Sequence, residues 1–143
     1  MSKKKKVLIL CTGNSARSQM AEGLLKHITK DEYEVFSAGT KPSFVRPEAT
    51  KVLAEVGIDI SKNHSKSVDE FTDREIDFVL TVCDNAKEIC PYFPATTKLF
   101  HHSFADPSET LGSEEATIEA FRKTRDQIQK YLEDSFCEII GKE

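Results

Sequence analysis

The chain opens with an apolar run followed by a segment of helical periodicity. Val7 to Leu10 is wholly apolar and follows the basic run Lys3 to Lys6, which predicts a strand over residues 6–10 that is buried on both faces. Over residues 15–27 the apolar positions recur at helical spacing. The sequence therefore begins with a strand, a tight polar turn and a helix.

A second strand and a second helix follow. Residues 33–37 alternate briefly and end in Ala38-Gly39, as a strand does before a loop. Pro47 suits a first helical position, and Gly57 suits the end of a helix. These residues predict a helix between them.

The second half of the chain repeats this alternation. Residues 76–82 form a third apolar run and residues 96–100 a weaker fourth. The segment 84–89 between them is predicted to be a short helix that Pro91 ends. Ser113 is a candidate N-cap for a final amphipathic helix with acidic residues in its first turn.

Strands that alternate with helices predict an α/β fold, in which a four-stranded parallel sheet has helices on both faces. Residues 59–73 lack a clear period and are predicted to be a loop. Since no repeat or linker divides the chain, residues 1–143 are predicted to form a single domain. Ligands bind such a sheet at the carboxyl ends of its strands, where Cys11, Cys83 and the loop after Phe100 all fall.

Charge and hydropathy exclude several classes of partner. The net charge of −4 argues against binding to nucleic acid or to an anionic membrane surface. The apolar run at residues 7–10 is too short for a signal peptide, and no run approaches the roughly 20 residues of a spanning helix. We expect a cytoplasmic protein that does not bind membranes and, given its polar surfaces, is a monomer.

The four cysteines are Cys11, Cys83, Cys90 and Cys137. In a reducing compartment such thiols are more often catalytic or metal-binding than paired in structural disulfides. Their spacings differ from the close pairs of a zinc site, and the histidines show no ligand spacing, so no metal or other cofactor is predicted. Cys137 is expected to pack as a small hydrophobe. Thiol chemistry is the expectation for the other three.

The segment between the first strand and the first helix has the composition of an anion-binding loop. In that position backbone N–H groups can wrap around an anion at the positive end of a helix. The same dipoles favour a thiolate at Cys11, which would make it a nucleophile at neutral pH. The loop reads Cys11-Thr12-Gly13-Asn14-Ser15-Ala16-Arg17-Ser18.

Individual residues of this loop suit a tetrahedral oxyanion. Arg17 can hold two oxygens in a bidentate manner, and Gly13 lets the backbone approach closely. Asn14, Ser15 and Ser18 can brace the loop or donate to the sulfur or the anion. The alternative interpretation is that Cys11 is a buried structural cysteine before an ordinary turn. Such a turn does not require Arg17.

Residues 11–22 resemble the active-site loop of the low-molecular-weight protein tyrosine phosphatase superfamily, particularly its thioredoxin-coupled arsenate reductases. The resemblance covers nearly the whole chain and implies a phosphotyrosine phosphatase I-like fold with a flavodoxin-like strand order. It continues through Ser37-Ala38-Gly39, Cys83-Asp84-Asn85-Ala86, Cys90-Pro91 and Asp106-Pro107 to the final helix.

The resemblance to the arsenate reductases implies a thiol relay. Cys11 attacks arsenic, Cys83 then attacks the sulfur of Cys11 and releases arsenite, and Cys90 resolves the resulting disulfide. Thioredoxin would reduce the final disulfide. A phosphatase would have no use for the second and third thiols. We therefore expect an arsenate reductase; a tyrosine phosphatase or other phosphomonoesterase is the alternative, and a non-catalytic oxyanion sensor is a third possibility.

If residues 84–89 are helical, Cys83 and Cys90 lie roughly 10.5 Å apart along the helix axis. A disulfide requires Cα atoms closer than about 7 Å. Pairing of the two cysteines would then require this segment to unwind, which would carry the disulfide toward the surface for a reducing partner.

Asp106 matches the superfamily's mobile-loop aspartate, which implies a general acid that protonates the departing oxygen. Taken locally, Asp106-Pro107 is also typical of an Asx turn. The superfamily's phosphatases usually have tyrosines after this pair, whereas Ser108 and Glu109 follow here, so the aromatic wall for a phosphotyrosine ring is missing.

Members of the family with a potassium site use three positions that Asn14, Glu22 and Ser37 match. Ser65-Lys66-Ser67 stands where those members provide a carboxylate. The sequence leaves potassium binding open.

Overall fold

A computed structural model describes residues 4–83, 96–110 and 112–142. In these ranges, four strands form one parallel sheet in the order β2-β1-β3-β4. The strands are β1 (Lys6–Cys11), β2 (Glu34–Gly39), β3 (Phe78–Thr81) and β4 (Lys98–His101). Val7 to Leu10 is fully buried in the central β1. The three apolar runs and the alternation over residues 33–37 thus identified all four strands, with ends that differ by one or two residues.

The helices are α1 (Arg17–Thr29), α2 (Pro47–Ala54), α3 (Glu114–Tyr131) and α4 (Cys137–Gly141), and the π-helical turn Leu132–Phe136 joins the last two. α1 begins later than predicted because residues 12–16 form the loop after β1. Pro47 is the first residue of α2, and Ser113 caps α3 by accepting a 3.1 Å hydrogen bond from the Ala116 N–H. Both helix starts were predicted correctly.

The two faces of the sheet are covered differently. α1, α2 and α3 pack against one another, and Glu22 of α1 reaches the sheet at Ser37. Phe36 points to the opposite face, because side chains alternate along a strand, and there its ring contacts Phe71. The predicted helix 84–89 lies outside the described residues.

The segment 59–73 is irregular, as predicted, apart from one 3-10 turn at Val68–Glu70. It also makes a single parallel bridge in which Ser67 pairs with Gly39 at the end of β2. This bridge brings the segment against the loop that follows β1. No helix in the described ranges has the length and apolar character needed to cross a membrane.

Candidate active site

Cys11 and Arg17 lie at the two ends of the loop between β1 and α1. Cys11 is the last residue of β1 and is 2% exposed, and Arg17 is the first residue of α1. Asn14 between them is in the left-handed region, with φ of 48°. Gly39, which pairs with Cys11, lets the loop lie close to β2, since a Cβ there would be 2.6 Å from the Thr12 carbonyl oxygen.

The sulfur of Cys11 lies in a short polar chain. Its Sγ is 2.9 Å from Ser18 Oγ, and Asn14 Nδ2 donates to the same Ser18 oxygen at 2.8 Å. Because Ser18 Oγ accepts from Asn14, its own hydrogen is available to Cys11. The hydroxyl is therefore able to donate a hydrogen bond to the sulfur.

Groups outside the loop hold Gly13 and Asn14 in place. Gln19 Nε2 donates to Asn14 Oδ1 at 3.0 Å, and the backbone N–H of Lys66 donates to the same oxygen at 2.9 Å. Ser65 Oγ donates to the Gly13 carbonyl at 2.9 Å. Sequence reasoning assigned no role to these supporting residues. Gln19 follows Arg17 and Ser18 in α1, so no local pattern marked it as a support for the loop.

Glu22 continues this network, at 4% exposure. Its Oε1 accepts from Ser37 Oγ at 2.7 Å, and its Oε2 accepts from Lys26 at 3.0 Å and from Asn63 at 3.2 Å. Both carboxylate oxygens therefore have protein donors. Within the part of the chain that the structure describes, no group of three or more His, Cys, Asp or Glu side chains is arranged to hold a metal ion.

Asp106 lies beside Arg17. Arg17 Nη1 donates to the Phe104 carbonyl at 3.0 Å, and its Nη2 is 3.6 Å from Asp106 Oδ2. The other carboxylate oxygen of Asp106 accepts from the Ser108 N–H at 3.0 Å and the Ser108 hydroxyl at 2.6 Å. Asp106 therefore forms the local turn that its sequence suggested and also faces the loop of residues 11–18, which we call the oxyanion loop.

Cys83 reaches the same edge of the sheet. It is buried, and its Sγ is 3.3 Å from Oγ1 of Thr12, the residue after Cys11. Cys11 and Cys83 therefore lie at the same edge of the sheet, as predicted. Cys90 lies outside the described residues. Cys137 is half-buried in the tail, where burial and then the charge of Glu133 raise the pKa of its thiol.

A buried thiol and an arginine at the two ends of one loop, with an aspartate beside the arginine, are the groups that thiol enzymes acting on tetrahedral oxyanions use. Residues 6–143 match the family model of the low molecular weight phosphotyrosine protein phosphatases. The chain belongs to this family.

Its relatives include arsenate reductases. The arsenate reductase of Halalkalibacterium halodurans is 42% identical over 129 residues, covering 90% of this chain and 93% of that protein. A solved arsenate reductase in the oxidized state is 31% identical with a TM-score of 0.79, covering 94% of this chain and 98% of the other. The thioredoxin-dependent arsenate reductase of Corynebacterium glutamicum is 28% identical with a TM-score of 0.65, covering 94% of this chain and 64% of the other.

Proposed function

We propose that this protein reduces arsenate to arsenite with Cys11 as nucleophile and Cys83 and Cys90 as the relay, and that thioredoxin restores the reduced enzyme. The observation that carries the proposal is the place of Cys83. Its thiol is buried against Thr12 of the oxyanion loop, although 72 residues separate it from Cys11 in the chain. Hydrolysis of a phosphate ester has no step for a second thiol at this position.

The first step forms a bond between Cys11 Sγ and arsenic. The thiolate attacks As(V) while Arg17 and the loop amides hold the oxygens, and one arsenic oxygen leaves as water. Asp106 supplies the proton for that oxygen, and in support its Oδ2, the carboxylate oxygen not bonded to Ser108, is 3.6 Å from Arg17 Nη2. The product is a covalent adduct in which arsenic is still As(V).

The second step reduces arsenic. Cys83 attacks Cys11 Sγ, the sulfur–arsenic bond breaks, and its electron pair leaves with arsenic as arsenite, As(III). Two thiols have then been oxidised to one Cys11–Cys83 disulfide. Cys90 attacks Cys83 and frees Cys11, and the dithiol of thioredoxin reduces Cys83–Cys90 and itself becomes a disulfide. A cycle of this kind fits a reducing compartment such as the cytoplasm.

The test is a count of free thiols under anaerobic conditions before and after arsenate, with peptide mapping of any disulfide. We expect the loss of two thiols, a Cys83–Cys90 bridge and the release of arsenite. Cys83→Ser should stop at the Cys11 adduct, whereas Cys137→Ser, a cysteine outside the site, should behave as the wild type does. If arsenate leaves the number of free thiols unchanged while the protein hydrolyses phosphate esters, the protein is a phosphatase instead.

A further inference from the structure

Three aromatic rings form a cluster between the segment after β4, which carries Asp106, and the end of α3. The ring of His102, directly after β4, stacks on Tyr131 at the end of α3, with centroids 4.1 Å apart and 21° between planes. Phe104 contacts both, at 4.8 Å from His102 and 6.0 Å from Tyr131. We call these three residues the aromatic clamp.

Phe104 is the anchor of an exposed segment. The residue is 7% exposed, whereas its neighbours Ser103 and Ala105 are exposed. Its N–H donates to the Val82 carbonyl at 3.0 Å, next to Cys83. The ring contacts and this hydrogen bond together hold the Phe104 peptide in place.

The carbonyl of that same residue accepts the 3.0 Å hydrogen bond from Arg17 Nη1. A guanidinium is planar and carries five N–H donors in a fixed arrangement. A bond from one of them to a fixed carbonyl limits the orientation of the plane, while the remaining donors stay available to an anion. The position of Phe104 therefore affects how the guanidinium plane of Arg17 is oriented toward a bound oxyanion.

We propose that Tyr131 and His102 are positioning residues for the oxyanion site, acting through Phe104 on Arg17. This deepens the proposed function, because it assigns the geometry of the arginine to residues that never touch the substrate. It applies equally to arsenate and phosphate, so its test does not depend on the reduction of arsenate.

The test compares Tyr131→Ala with Tyr131→Phe, which keeps the ring. Affinity for inorganic phosphate is measured as protection of Cys11 from iodoacetamide, with Cys11 followed by peptide mass spectrometry. Tyr131→Ala should weaken phosphate binding by about tenfold, a loss typical of a hydrogen bond to a charged group. Tyr131→Phe should match the wild type, as should Lys130→Ala, whose side chain is 80% exposed at the same helix end.

A purely structural effect gives a different result. The alkylation rate of Cys11 without phosphate reports the state of the loop itself, and we expect Tyr131→Ala to leave it unchanged. Arg17→Lys removes the planar guanidinium that bonds to the Phe104 carbonyl. In this background Tyr131→Ala should cause no further loss of affinity for phosphate. An equal loss in both backgrounds, or a changed alkylation rate without phosphate, would overturn the proposal.

His102→Ala provides the second variant in case Tyr131→Ala fails to fold. This change removes the ring that contacts both Phe104 and Tyr131, and it should weaken phosphate binding as Tyr131→Ala does. Phosphate affinity equal to the wild type in folded His102→Ala would also count against the clamp. If the clamp variants behave as expected but arsenate oxidises no thiols, the proposed reduction fails and the positioning role stands.

Discussion

Replacing Gly39 by alanine tests how closely the oxyanion loop must lie against the sheet. Gly39 ends β2, opposite Cys11, and its N–H donates to the Lys66 carbonyl at 2.8 Å. A Cβ at this position would lie 2.6 Å from the Thr12 carbonyl oxygen and 2.8 Å from the Asn14 nitrogen. Both neighbours are backbone atoms of the oxyanion loop, so no side-chain rotation can relieve the contact.

The size of the effect follows from these distances. A carbon and a carbonyl oxygen in contact lie about 3.3 Å apart or more, so the loop must move by roughly 0.7 Å. Displacements approaching 1 Å in a reacting group cost about a hundredfold in rate. We expect Gly39→Ala to slow the first arsenate turnover by roughly that factor, and to lose about 1–3 kcal/mol of stability through overpacking.

The assay pairs arsenate-dependent thiol loss in a single turnover with urea unfolding. Gly23→Ala is the matched control, because its Cβ would lie 2.8 Å from Leu53 and 3.0 Å from Ile60, both side-chain atoms away from the loop. It should lose stability and keep the turnover rate. Gly141→Ala, whose Cβ meets nothing, should change neither. A wild-type turnover rate in Gly39→Ala, or an equal fall in Gly23→Ala, would refute the reasoning.

Three further predictions concern other contacts. Ser18→Ala removes the hydroxyl 2.9 Å from Cys11 Sγ and should slow adduct formation by roughly 10- to 100-fold, the loss expected for a hydrogen bond to a charged group; an unchanged rate in rapid-quench experiments would exclude this role. Asp106→Asn should slow adduct formation by about 10²- to 10⁴-fold, as expected for loss of a general acid, while phosphate still protects Cys11; a rate equal to the wild type would remove Asp106 from the mechanism. Hydrogen bonds from Arg122, and then from Arg125, lower the pKa of Glu55 to about 2. Glu55 then stabilises the fold above its unfolded pKa of about 4.3 and ceases to do so as the pH falls toward 2, so the urea midpoints of wild type and Glu55→Gln should converge over that range.

The sequence predicted the features that depend on local pattern. The apolar run of β1 marked a buried central strand, and the alternation of elements placed Cys11 and Cys83 at one edge of a parallel sheet. The strand ends shifted slightly, because hydrogen bonding to neighbouring strands determines where a strand stops.

The support of the oxyanion loop could not be predicted in this way. Ser65 and Lys66 reach Gly13 and Asn14 across 52 residues, through one short side chain and one backbone N–H. Contacts of this kind leave no periodicity, and the segment 59–73 was accordingly predicted only as a loop. The hydrogen bond between Arg17 and the Phe104 carbonyl could not be predicted from the sequence either. Every residue has a carbonyl, and only the fold determines which one faces the arginine.

The pairing of β1 with β3 also decides when the folding chain becomes capable of its redox chemistry. Leu10 pairs with Thr81, and the Val82 N–H donates to the Leu10 carbonyl at 2.9 Å, which brings the residues around Cys11 and Cys83 together. Closing the long stretch of chain between β1 and β3 costs conformational entropy, and only the completed pairing of the two strands offsets this cost. In a chain without that pairing, nothing holds Cys11 and Cys83 close together. Under the proposed mechanism, the rate of arsenate-driven disulfide formation therefore reports the formation of the native sheet.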